Sequence, residues 1–319
     1  MNDASTDPAA APEFRLDVGG AVIALRCPQV GLAEGLAAWF GLASSPLPAA
    51  VSLEVEVVAH DDAPGYPRSL LTSKRLLAPG TGEAAAPGAP PSAQPFDIAD
   101  GLLRGWYDAA TGTGAVRVKA ALLAGHHTRI FEQLLYQAHR SAVQKLERTA
   151  WLVHSSAVIA GGQGFLFVGP SGAGKSTVAR LSAAHHVLGD EMNLLLPRPG
   201  GGWDVAGTPF NGLFRAKRPG RAPLRAVLLL EHGPQPSLRE APLAESVAAL
   251  AGEIVPPVGL DQAPGPDTLP AMVGAAHEVA AHTALKVLAF APDAGFWITL
   301  DQAFGTGGTI TDSNPGERR

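Results

Sequence analysis

One stretch constrains this chain more than any other. Phe165-Leu166-Phe167-Val168 is an apolar run of the kind that forms a buried strand, and it leads straight into Gly169-Pro170-Ser171-Gly172-Ala173-Gly174-Lys175-Ser176. The second part matches G-x-x-x-x-G-K-[ST], the phosphate-binding loop or Walker A pattern. Glycines at 169, 172 and 174 allow the backbone to wrap a phosphate chain without Cβ clashes. Successive N–H groups can then converge as an anion nest, with the positive end of the following helix behind them. In that arrangement Lys175 reaches the β- and γ-phosphates and the Ser176 hydroxyl ligates Mg²⁺. The expected nucleotide site therefore runs from Gly169 through Pro170, Ser171, Gly172, Ala173, Gly174, Lys175 and Ser176 to Thr177.

Composition narrows the partners. The net charge of −5 and pI near 6.0 argue against a nucleic-acid-binding surface, which needs a basic stripe. No long uncharged apolar run suggests a membrane span, and residues 1–12 lack the basic and apolar regions of a secretory signal. A cytoplasmic protein is expected. The lone cysteine, Cys27, cannot form an internal disulfide and reads as a small buried hydrophobe.

The pattern of residues predicts a mixed α/β chain in two parts. Residues 1–12 read as a disordered tail, 13–127 as a small N-terminal α/β unit, 128–304 as a P-loop domain and 305–319 as a mobile tail. Within the N-terminal unit, Phe14–Cys27 reads as a hairpin around Gly19-Gly20, Val30–Phe40 as a helix and Val51–Ala59 as an alternating strand. Residues 78–95 are low in complexity and read as a flexible excursion. Leu102–Asp108 and Gly114–Val118 read as strands, and Thr128–Trp151 has helical periodicity. After the loop come a short helix over Ser176–His185, a strand Val187–Glu191, a buried strand Leu224–Glu231 and helices over Leu243–Ala251 and Thr268–Thr283. Short strands over Leu285–Pro292 and Trp297–Leu300 close the chain.

Three features around the loop suggest chemistry. His154 precedes it, and Asp190-Glu191 follow it at the end of an apolar strand, where acids can hold Mg²⁺ or accept a proton. Each has a bland alternative: His154 as a satisfied core or surface residue, Glu191 as a solvated strand end. His185 and His186 suit a helix C-terminus. Arg215, Lys217, Arg218 and Arg221 form either a solvated loop or a clamp for phosphates or an acidic substrate.

The succession V-H-S-S-A-V-I at 153–159, G-P-S-G-A-G-K-S-T at 169–177 and V-L-G-D-E at 187–191 resembles the catalytic core of the HPr kinase and phosphoenolpyruvate carboxykinase superfamily. It is most similar to the HPr-kinase-related proteins, through Gly207-Thr208-Pro209-Phe210, the strand Leu224–Glu231 and the ending Leu285–Trp297 with Pro292-Asp293. The resemblance spans roughly residues 129–300. It implies a P-loop core of the carboxykinase and HPr-kinase type, ATP and Mg²⁺ as cofactors, and transfer of the γ-phosphoryl to a hydroxyl, most simply a serine of a protein or peptide. By that resemblance Asp190 deprotonates the acceptor, Glu191 stands where a metal-binding Asp is usual, His154 lies near the transferred phosphoryl, and Asp204 stands where a metal-binding Glu is found. A homo-oligomer is also implied. The Arg-rich segment of the HPr kinases has no evident counterpart here, so HPr as substrate and phosphorolysis are not implied. Two other classes stay open: a nucleotide-binding regulatory module without turnover, and a small-molecule kinase or carboxykinase relative.

Overall fold

Hydrophobic alternation and buried apolar runs build two separate mixed sheets in the computed structural model, which describes residues 12–41, 45–58, 88–98, 103–119 and 128–306. Among these residues there are six helices, and the class is mixed α/β. The chain divides into two units, residues 1–151 with 255–272, and residues 152–254 with 273–319.

The first unit contains β1 (Glu13–Val18), β2 (Ala21–Arg26), α1 (Val30–Phe40), β3 (Val51–Val58), β4 (Gln94–Ile98), β5 (Leu103–Asp108), β6 (Thr113–Lys119) and α2 (Thr128–Lys145). Its sheet order is β1-β2-β3-β6-β5-β4; β2–β3 and β3–β6 are parallel pairs, the others antiparallel. Period-two alternation puts Val51, Leu53 and Val55 in the core. It leaves Glu54 and Glu56 outside, ion-paired to Arg26 and Arg117 at 3.0 and 2.7 Å. Cys27 is buried, and burial pushes its thiol up to about 11, so it is inert.

Three expectations change in this unit. The low-complexity stretch ends in β4, which pairs with β5; residues 78–87 lie outside the described residues. The helix expected over 128–151 stops at Lys145: Glu147 takes a left-handed conformation (φ 52°), and Arg148 N–H donates to Val143 O while Glu147 N–H donates to Gln144 O. This is a Schellman ending with a non-glycine residue at its left-handed position. Finally, α2 buries Phe131, Leu134, Leu135 and Ala138 and belongs to the first unit, whereas the domain boundary was expected before it, at 128.

The second unit contains β7 (Trp151–His154), β8 (Ser156–Ala160), β9 (Gln163–Val168), α3 (Lys175–Leu181), β10 (His186–Gly189), β11 (Met192–Pro197), β12 (Trp203–Gly207), β13 (Arg221–His232), β14 (Ser237–Glu240), α4 (Leu243–Glu253), α5 (Thr268–His282), β15 (Ala284–Phe290) and α6 (Phe296–Phe304). The divisions between units fall after Trp151, the first residue of β7, after Ile254 and inside α5. The strands run β10-β8-β9-β13-β12-β11-β7, with β15 on β13 and β14 on β15. The long β13 is the pivot. Its first residues pair antiparallel with β12, and its apolar second half lies parallel to both β9 and β15. Strands buried on both faces read as continuous apolar runs, which is what Phe165–Val168 and Ala226–Leu230 are.

Trp297–Leu300, expected as a strand, lies within helix α6. The burial of Phe296, Trp297 and Leu300 is the i, i+1, i+4 face of a helix, and Phe165 and Phe167 pack edge-on against Trp297 at 5.9 and 6.1 Å. Gly305 caps this helix in the left-handed region (φ 67°), and buried Thr306 donates to Asp301 Oδ1 at 2.8 Å, so the segment expected to be mobile starts out fixed; residues 307–319 lie outside the described residues. No helix among the described residues is long and apolar enough to cross a membrane.

Candidate active site

Strand direction gathers the candidate residues at one end of the second unit's sheet. β9 runs into the glycine loop at Gly169, and parallel β13 ends beside it at Glu231-His232. β8 is antiparallel to β9, with Ser156 opposite Phe167, so the β7–β8 junction at His154-Ser155 lies at the same end. β10 is antiparallel to β8, with Gly189 opposite Ala157, so Asp190-Glu191 emerge there too. In open α/β sheets ligands bind outside the carboxyl ends of the strands. His154, the loop and the acidic pair are therefore brought to one edge by topology.

The backbone of the glycine loop turns through the left-handed region. Gly172 and Gly174 have φ of 86° and 106°. A Cβ at Gly174 would meet Phe290 Cζ at 2.8 Å, so Phe290 at the end of β15 sets how close the loop lies to the sheet. Ala173 N–H donates to Pro170 O at 3.1 Å, and α3 starts at Lys175. Lys175 is buried, and its Nζ donates to Gly169 O at 2.6 Å and Pro170 O at 3.2 Å. The ammonium thus lies over the loop's own carbonyls. Pro170, Ser171 and Gly172 are exposed, and Ser176 and Thr177 are half-buried.

Asp190 is almost fully buried, at 2% exposure. Its Oδ2 accepts from Leu213 N–H at 3.1 Å and Phe214 N–H at 3.0 Å. Its Oδ1 is buried with no hydrogen-bond partner among the described residues. An orphaned carboxylate oxygen in a protein interior is costly and calls for a ligand or a reaction to explain it. The segment that holds Asp190 is itself strapped down: Lys217 Nζ donates to Thr208 O at 2.7 Å and to Phe210 O, and Thr208 Oγ1 donates to Met192 O at 2.6 Å. The Gly207–Phe210 motif therefore buttresses the acidic turn.

The β7–β8 junction is stitched to the same turn. Ser155 N–H donates to Glu191 O at 3.1 Å, and Ser156 Oγ donates to Gly189 O at 3.3 Å. Asn193 Nδ2 donates to Ser155 O at 2.8 Å and to Ser155 Oγ at 3.1 Å. His154 is half-buried, and its Nδ1 lies 3.0 Å from Oε2 of buried Glu253. Glu191 is half-buried beside Asp190.

Other expectations resolve differently. Asp204, expected as a metal ligand by resemblance, is bridged by two guanidiniums: Arg198 Nε lies 3.2 Å from Oδ1 and Arg221 Nε 2.6 Å from Oδ2. The basic run is in large part structural. Lys217 straps the segment described above, Arg218 donates to His185 O at 2.7 Å, and Arg221 is taken by Asp204. His185 stacks on Trp297 at 4.1 Å, and burial lowers its pKa; His186 Nε2 lies 3.0 Å from Pro219 O. Among the described residues no three His, Cys, Asp or Glu side chains form a metal site of their own.

Two residues of the site had no sequence signal, and a third had only a faint one. Asn193 and Glu253 lie in an apolar strand and at the end of a helix, and only the fold brings them to the β7–β8 junction. His232 Nε2 lies 3.1 Å from Gly172 O, on the loop itself; its position after the Leu224–Glu231 run was the one hint. No protein-family model matches the chain, and no curated protein sequence matches it.

Proposed function

We propose that the second unit is an ATP-dependent phosphotransferase with a P-loop core of the HPr-kinase-related type, transferring the γ-phosphoryl to a hydroxyl, most simply a serine of a protein or peptide. The observation that carries this reading is the buried Asp190, with its orphaned Oδ1, at the end of the sheet that bears the glycine loop. Phosphoryl transfer needs positioning, charge neutralisation and a sink for the acceptor proton, and these residues suit each need.

Gly169–Thr177 would cradle the phosphates, with Lys175 leaving its own loop carbonyls to neutralise the β- and γ-oxygens. The donor set fits Mg²⁺, a hard cation that takes a few oxygens and keeps water: the Ser176 hydroxyl, the carboxylate of Glu191 and that of Asp190, where Oδ1 has no hydrogen-bond partner among the described residues. Bound Mg²⁺ would offset the charge of the phosphates. The acceptor oxygen forms the new P–O bond, the bond from the γ-phosphorus to the bridging oxygen breaks with its electron pair leaving on ADP, and the acceptor proton passes to Asp190. His154 would lie beside the transferred group. The protein is cytoplasmic in this reading, and a homo-oligomer is compatible with it.

One observation favours a second reading. Asp190 is 2% exposed and its Oδ2 is occupied by two amides, as suits a nucleotide-binding module that does not turn over. Transfer from γ-labelled ATP with Mg²⁺ into dialysed lysate proteins separates the two. Label on a polypeptide that is lost in Lys175→Ala and in Asp190→Asn, with ATP binding kept in Asp190→Asn, supports the kinase. Tight ATP binding with no labelled product supports the module, and label on a metabolite would point to a small-molecule kinase.

A further inference from the structure

Glu253 is an acid in an unfavourable position. It is the last residue of α4, where the helix dipole opposes negative charge, and it is 6% exposed. A buried carboxylate there needs compensation. His154 supplies it: Nδ1 and Oε2 are 3.0 Å apart. The flanking backbone fixes the pair, because Val153 and Ile254, each adjacent to one partner, form an isolated antiparallel bridge. A carboxylate can only accept, so the shared proton belongs on Nδ1, and Nε2 is left as the nitrogen available to another group.

His154 is also anchored from the other side. The next residue, Ser155, is bonded to Glu191 O and to the Asn193 amide, which fixes the junction against the acidic turn. The imidazole is thus held by a buried acid on one side and by a rigid backbone on the other, at the sheet end where the glycine loop begins. We propose that Glu253 is a positioning residue that holds His154 in its Nδ1–H tautomer, so that Nε2 is presented to the transferred phosphoryl. This rests on the phosphotransferase reading for the role of Nε2, but not for the pairing itself.

Nitrogen-15 correlation spectra of the full chain labelled at histidine, at a pH where the ring is neutral, test the pairing; His154→Asn assigns the signals. The wild-type protein should show His154 as Nδ1–H. In Glu253→Ala that signature should be lost, kcat for transfer should fall about tenfold or more, and KM for ATP should stay within about twofold. Glu253→Gln, whose amide oxygen can still accept, should fall between the two, and it serves if the alanine variant does not fold. An Nε2–H ring in the wild type, or variants with unchanged tautomer and kcat, would overturn the proposal. A wild-type protein that transfers nothing removes the phosphotransferase reading and with it the role of Nε2. The tautomer separately upholds or overturns the hold of Glu253 on the ring.

Discussion

A Cβ on Gly212 would lie 2.4 Å from Asp190 Oδ1 and 2.9 Å from Oδ2. The closeness follows from the two bonds by which the next residues, Leu213 and Phe214, hold the carboxylate through their backbone N–H groups. Only a residue without a side chain lets that segment lie across the acid. Gly212→Ala should push the carboxylate off its two donors or lift the segment away. The expected outcome is a fall in phosphoryl transfer of about tenfold or more with ATP affinity nearly unchanged, since the glycine loop is not touched. Single-turnover transfer and equilibrium ATP binding on the same preparation check this; an unimpaired variant would remove Asp190 from the chemistry.

Gly174 makes the matching case on the phosphate side. Its φ of 106° is strained for any other residue, and a Cβ would strike Phe290 at 2.8 Å. Gly174→Ala should cost about 1–3 kcal/mol of stability and abolish measurable nucleotide binding, because the loop cannot keep its shape. Gly174→Ala with Phe290→Leu should recover part of the stability and little of the binding, since the steric clash is relieved but the backbone strain remains. Thermal unfolding and calorimetric titration with ATP separate the two effects.

These glycines also mark the limit of what could be read from the chain. The glycine loop, its strand and helix, and the acidic turn were legible, because a local pattern has to satisfy local backbone geometry there. Leu224–Glu231 was legible as a buried strand because it is apolar throughout. Asn193, Glu253 and Gly212 were not, because their roles depend on contacts 38, 99 and 22 residues away in sequence, with Ser155, His154 and Asp190. Trp297–Leu300 misled for a physical reason: a short, mostly apolar run suits strand or helix equally, and packing against Phe165 and Phe167 decided for the helix. The pairing of Asp204 was not legible either, because resemblance assigns a type of residue to a position, whereas its arginine partners Arg198 and Arg221 are particular to the local sheet.

Asp204→Asn tests whether this pairing is the residue's whole role. With both oxygens engaged by guanidiniums that are 43% and 49% exposed, the pair network is a partly solvated structural feature. The substitution should lower stability by about 1 kcal/mol or less and leave the Mg²⁺ dependence of ATP affinity as it is. Ser176→Ala should do the reverse, weakening binding of Mg-ATP more than that of ATP with chelator. Titration calorimetry with and without Mg²⁺ checks both; a loss of Mg²⁺ dependence in Asp204→Asn would return Asp204 to the metal site.

Stability should fall with acid, and His139 identifies one source. It lies on α2 in the first unit, 3% exposed, with Nε2 lacking a partner among the described residues. Burial pushes its pKa down to about 4; the Arg140 charge adds to the effect, and a backbone hydrogen bond with Val18 opposes it. The sign follows from proton uptake. Unfolded, the imidazole titrates near 6.5, so below that pH the unfolded chain binds a proton that the folded chain refuses. Its contribution is therefore intact above pH 6.5 and is lost progressively as pH falls from about 6.5 towards about 4. Between pH 7.5 and pH 5 the loss should be about 2 kcal/mol. His139→Leu should flatten that part of the profile whatever it does to stability at neutral pH. Urea unfolding of the full chain at the two pH values measures the slope directly, and an equally steep loss in the variant would assign the acid sensitivity to other groups.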